Sequence, residues 1–124
     1  MKTFPRGRFI PIALSLVNLL AWPVAQAGGP YRLLKEIPVG GEGGWDYLSV
    51  DPAARRLYVT HATQIVVIDL DKDAVVVEIA DTPGVHGFAL APELGRGFSS
   101  NGKENKSSIV DLKTLKTIAK VDTG

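Results

Sequence analysis

The sequence predicts an all-β fold assembled from four-stranded antiparallel units of about 40–42 residues. Three observations predict it. Short segments rich in Val, Ile, Tyr and Phe are separated by turn-forming pairs such as Asp51-Pro52, Pro83-Gly84 and Asn101-Gly102. These segments recur at a nearly constant offset. No stretch after residue 27 keeps an apolar period near 3.6, so no long helix is expected.

Residues 1–27 stand apart. Lys2, Arg6 and Arg8 precede the apolar run 9–24, and Ala25-Gln26-Ala27 follows it. A basic start, an apolar stretch and small residues two apart are the parts of a secretory signal, with cleavage expected after Ala27. The apolar run is shorter than the roughly 20 residues of a spanning helix, and Pro11 and Pro23 would disturb one. The expectation is therefore an exported, periplasmic or secreted chain with no stable membrane anchor after cleavage.

The domain reading is a signal peptide at 1–27 and a single repeat-built β region at 28–124. The whole chain has 14 basic and 13 acidic residues, a net charge of +1. The leader holds three of the basic residues and none of the acids, so 28–124 carries a net charge of −2. That charge argues against nucleic acid as a partner. The absence of cysteine removes disulfide frameworks, thiolate metal sites and cysteine nucleophiles.

The repeat is explicit from residue 51 onward. Arg56-Leu57-Tyr58-Val59-Thr60-His61 returns one period later as Arg96-Gly97-Phe98-Ser99-Ser100-Asn101. Val67-Ile68-Asp69-Leu70 returns as Ile109-Val110-Asp111-Leu112, after a slightly longer step. The two extra residues of that step fall in the polar stretch between Asn101 and Lys106, as an insertion in a loop should. Strands are expected at 47–50, 56–60, 64–70 and 74–79, and again at 87–90, 97–100, 107–112 and 117–121. Four strands per unit at this period fit a β-propeller blade, giving blades at 45–80 and 86–121. Residues 31–39 resemble the last strand of a unit, so they are expected as an outer strand standing first in the mature chain.

Leu57-Tyr58-Val59-Thr60-His61, with Ser49-Val50-Asp51-Pro52 before it and Val67-Ile68-Asp69-Leu70 after it, resembles the YVTN-type β-propeller repeats. The second unit departs from the signature at Phe98-Ser99-Ser100-Asn101 but keeps its flanks. The resemblance covers about residues 31–124 and implies an exported bacterial propeller protein. Propellers have about 4–8 blades, so two units and one strand do not close a ring. The expectation is a truncated piece of a longer propeller. A ring of several copies, self-associating through exposed blade faces, and a small sandwich are the alternatives.

Asp46 and His86 hold equivalent places just before the two inner strands, where propeller strands enter the central channel. They and Trp45, which could stack on a flat ligand, are the candidate ligand-binding residues. The competing reading is that Asp46 and His86 bond backbone groups and fix the turn between blades. No catalytic residue, no metal site and no cofactor is predicted.

His61 is expected as a turn residue. Asp69 and Asp111 are expected to cap backbone N–H groups, because Ala74 and Ala80 replace the Gly and Glu that a calcium loop needs. The stretch 97–104 mimics a phosphate loop, but Glu104 stands where Ser or Thr would bind magnesium. Gly40-Gly41-Glu42-Gly43-Gly44 reads as a flexible interblade loop.

The functional expectation is an exported, non-enzymatic binding or scaffold module for an unknown small ligand or protein. The alternatives are part of a propeller enzyme (a lactonase, or a quinone- or haem-dependent oxidoreductase) or of a single-stranded DNA-binding propeller.

Overall fold

The computed structural model describes residues 29–124. The expected signal segment and its cleavage point at Ala27 lie outside the described residues. Eight strands follow one another: β1 (Trp45–Asp51), β2 (Arg56–His61), β3 (Gln64–Asp69), β4 (Ala74–Ile79), β5 (Val85–Ala91), β6 (Arg96–Asn101), β7 (Lys106–Asp111) and β8 (Lys116–Asp122). They form two antiparallel sheets, β1-β2-β3-β4 and β5-β6-β7-β8, each a meander in which every strand pairs with its neighbour in sequence. All eight expected strands are present. The fold is all-β, an unclosed pair of propeller-type blades.

The repeat extends to backbone conformation. Asp51 accepts a hydrogen bond from the Ala54 N–H at 2.9 Å, and Arg55 closes the β1–β2 turn with φ 54°. Its counterpart in the next unit, Gly95, ends a short 3-10 turn at Pro92–Leu94 with φ 63°. Asp69 caps the β3–β4 turn by accepting from the N–H groups of Asp71 (3.0 Å) and Lys72 (2.9 Å). Asp111 does the same for Lys113 (3.0 Å) and Thr114 (2.8 Å). Asp73 and Leu115, at matching places in the two units, then take φ 50° and 56°. Both aspartates are the turn formers expected.

Strand register fixes which side chains share a face, because directly opposed residues point the same way. Ser49, Tyr58, Val67 and Val77 align on one face of the first sheet, and Leu48, Val59 and Val66 on the other. Phe88 and Ser99 align on one face of the second sheet, and Ala89, Phe98, Ile109 and Ala119 on the other. The main core joins the sheets: Tyr58, Ile65, Val67 and Ile79 pack with Val85, Phe88, Val110, Leu112 and Leu115.

Polar bonds pin the same junction. The Thr60 hydroxyl lies 3.0 Å from the Tyr47 carbonyl and 2.9 Å from the His86 carbonyl, and its single proton serves one of them at a time. Ser49 donates to the Phe88 carbonyl, and Arg56 donates to the Leu112 carbonyl at 2.8 Å.

The expected outer strand at 31–39 is corrected: no strand forms there. A strand needs a ladder partner, and among the described residues none lies beside this segment. Its placement nevertheless follows the repeat. Ile37 and Val39 pack on Val59, Val66 and Ile68 of the first sheet. Their counterparts one repeat on, Val77 and Ile79, pack into the core shared with the second sheet.

Candidate functional site

Asp46 and His86, expected just before the inner strands, are the second residues of β1 and β5, because those strands start two residues earlier than expected. Each lies in a stretch where ladder pairing shifts register, between Trp45 and Leu48 in one sheet and between Val85 and Phe88 in the other. Such irregularities re-aim side chains at strand ends. Here they bring the two residues together across the blade junction: His86 Nδ1 lies 2.7 Å from an Asp46 carboxylate oxygen. A carboxylate only accepts, so Nδ1 carries the proton and donates it. In the neutral ring Nε2 is then the free acceptor. The His86 side chain is 65% exposed and Asp46 34%, so the pair is open to ligands.

Trp45 has one face already occupied. Its ring stacks on His61 with centroids 3.6 Å apart and planes 7° from parallel. His61 ends β2 opposite Trp45, and its ring is buried. The expectation of a turn residue is thereby refined: the turn itself is Ala62-Thr63, and the imidazole is a packing partner. His61 Nε2 donates to the Gly43 carbonyl at 3.3 Å, and Nδ1 has no partner among the described residues. The glycine run is fitted round this ring rather than free of it. A β-carbon on Gly41, at φ 96°, would meet His61 Cε1 at 2.6 Å. Trp45 as a whole is 51% exposed, which leaves surface to a ligand.

Trp45, Asp46 and His86 line one cavity of about 260 Å³ together with Ala62, Gly84 and Lys103. His86 also borders a second cavity of about 340 Å³, lined by Ser100, Gly102, Asn105, Lys106 and Thr123 among others. A β-carbon on Gly102 would lie 3.1 Å from His86 Nε2, so glycine there leaves that atom open. The three expected residues are therefore neighbours in one concave site, and Lys103 joins them unforeseen.

The sequence reading also missed a buried polar network in the second sheet. Asn101 ends β6 inside the sheet, rather than in the turn. It donates to the Ser108 hydroxyl at 2.8 Å and to Glu104 at 2.7 Å, and accepts from the Ser99 hydroxyl at 2.7 Å. Lys120 donates to both Glu104 oxygens, at 2.8 and 3.0 Å, and pairs with Asp81 at 3.1 Å. The hydrogen bond from Lys120 holds the Glu104 carboxyl below the usual range, and the same contact raises the Lys120 ammonium above its own. Glu104 sits in the loop between Asn101 and Lys106 that carries the two extra residues, which was the available signal.

No protein-family model and no curated protein matches the chain. Among solved structures, 17 chains match. One is the hydrazine synthase of Kuenenia stuttgartiensis, a β-propeller-type protein, with a TM-score of 0.58 and 18% identity. The alignment covers 62% of this chain and 22% of that one, so the chain spans about a fifth of its neighbour's length. At this identity the likeness establishes the blade fold alone.

Proposed function

We propose that the chain is an exported, non-catalytic propeller module that binds a small ligand at the Asp46–His86 pair, with Trp45 as a flat wall and Lys103 beside it. The observation that carries this reading is the 2.7 Å bond between two side chains from different sheets at the rim of one cavity. A pair that served only to fix the interblade turn would bond backbone groups. This pair bonds side chain to side chain and keeps Nε2 accessible. Export rests on the basic, apolar and Ala-Gln-Ala pattern of residues 1–27. The YVTN-type resemblance supports the same compartment.

Thermal unfolding of the full chain tests the site against a panel of small carboxylic acids, sugars and divalent metal ions. A ligand at about 100 times its Kd stabilises by about 2.7 kcal/mol, a readily measured rise in Tm. At least one compound should raise Tm for the wild type and not for the Asp46→Ala, His86→Ala double variant. An undiminished rise in the double variant would place binding elsewhere. N-terminal sequencing of secreted protein tests export and should read from Gly28.

A further inference from the structure

The two sheets follow one another by a fixed step along the chain, and their faces follow with them. Tyr58, Val67, Val77 and Ile79 form the face of the first sheet that the second sheet covers. Their counterparts in the second unit are Phe98, Ile109, Ala119 and Val121, on the outward face of the second sheet and outside both apolar clusters. Conversely, Phe88 presses on the first sheet at 3% exposure, while its counterpart Leu48 is 62% exposed and Val50, the counterpart of Leu90, is 55% exposed. The chain thus presents the two complementary halves of its own internal junction, one at each end.

We propose that a second copy of this chain docks head to tail, setting the outward face of its second sheet on the outward face of the first sheet. The contact continues the interface already formed inside the chain, and it is heterologous rather than self-complementary. The same step brings Asp46 of one copy beside His86 of the other, so the ligand site recurs at the new junction. Closed rings of about 4–8 blades would take about two to four copies.

Residues 34–39 oppose this docking. Ile37 and Val39 occupy, on the first sheet, the place that β8 of the incoming copy must take. β8 is held by a continuous ladder to β7, from Lys106↔Asp122 to Asp111↔Lys116. Residues 34–39 have no strand ladder, and their ion pair among the described residues, Lys35–Asp73 at 3.1 Å, is at the surface. The segment is therefore the one that yields, and it acts as a strap whose release admits the second copy.

Sedimentation equilibrium of the full chain tests the proposal, with circular dichroism confirming that each variant keeps its strands. The wild type should associate reversibly. Leu48→Glu and Val121→Glu, both at exposed positions, should each weaken association at least about tenfold, because docking would bury an unpaired carboxylate. Mixing these two variants should restore a 1:1 dimer and nothing larger, since each retains the face the other lacks. Val50→Glu and Ala119→Glu repeat the test if either first variant misfolds. The Ile37→Ser, Val39→Ser pair should tighten association. A wild type that stays monomeric at every concentration would overturn the proposal. So would single variants that still dimerise alone, mixed variants that do not pair, or a strap variant that associates no better.

Discussion

The Phe88 ring lies directly over Gly97, so closely that a β-carbon on Gly97 would sit 2.1 Å from Phe88 Cζ. In the first unit the corresponding positions hold Leu48 and Leu57. The second unit has exchanged two medium side chains for one large and none, and the large one fills the blade junction beside Tyr58, with ring centroids 5.1 Å apart.

Gly97→Ala should therefore be costly although it adds a single methyl. The three nearest neighbours of that methyl would all be atoms of the Phe88 ring, held in a packed core, and overpacking of this kind costs about 1–3 kcal/mol. Urea unfolding should show the midpoint falling by that amount. A Gly97→Ala, Phe88→Leu double variant should recover part of the loss.

Ala62 takes φ 51° in the two-residue β2–β3 turn, with His61 and Gln64 paired on either side. A positive φ at the first central position is what glycine supplies without strain. Ala62→Gly should raise stability by about 0.5–1 kcal/mol, because the strain relieved exceeds the entropy added to the unfolded chain. The urea midpoint should rise with an unchanged m-value.

Acid should weaken the protein through identifiable carboxylates. Glu104 is held low chiefly by Lys120, Asp111 by the Thr114 N–H, and Asp69 by Lys72. Each binds its proton less readily folded than unfolded. Its contribution is thus full above the ordinary carboxylate pKa and is lost as pH falls through the lowered folded value. Stability measured by urea unfolding should drop between about pH 5 and pH 3, and Glu104→Gln should flatten that slope while lowering the neutral-pH plateau.

The strands were legible because turn chemistry and β-branched runs alternate on a fixed step, and the step also located the loop insertion before Lys106. His61 and Asn101 were harder. By residue type both suit turns, yet both end strands and are buried, because each finds its partner inside: a stacked indole for His61, two serines and Glu104 for Asn101. Regular register would not have revealed the first: it sets Asp46 across from His61, and the irregularity between Trp45 and Leu48 puts Trp45 there instead. The segment 31–39 carries an outer strand's pattern, but a pattern becomes a strand only when a neighbour offers its hydrogen bonds. At the site, the equivalence of positions 46 and 86 was visible in the repeat. That they would touch was not, because it depends on how the two sheets stack.

Every strand pairing among the described residues is between strands adjacent in sequence, and that governs the order in which they can acquire their shape. Contacts close in sequence form early and fast. The backbone ladder of the first sheet is complete once Ile79 has been synthesised, while the side-chain bonds of Ser49, Thr60 and Arg56 and the cover of its apolar face come later with the second sheet. The carbonyl of Ala62 then accepts from the Gly84 N–H at 2.9 Å and the Val85 N–H at 3.3 Å, fixing the start of the next inner strand against finished structure. Each unit can thus template its successor as the polypeptide lengthens, a vectorial route suited to a protein that emerges from one end.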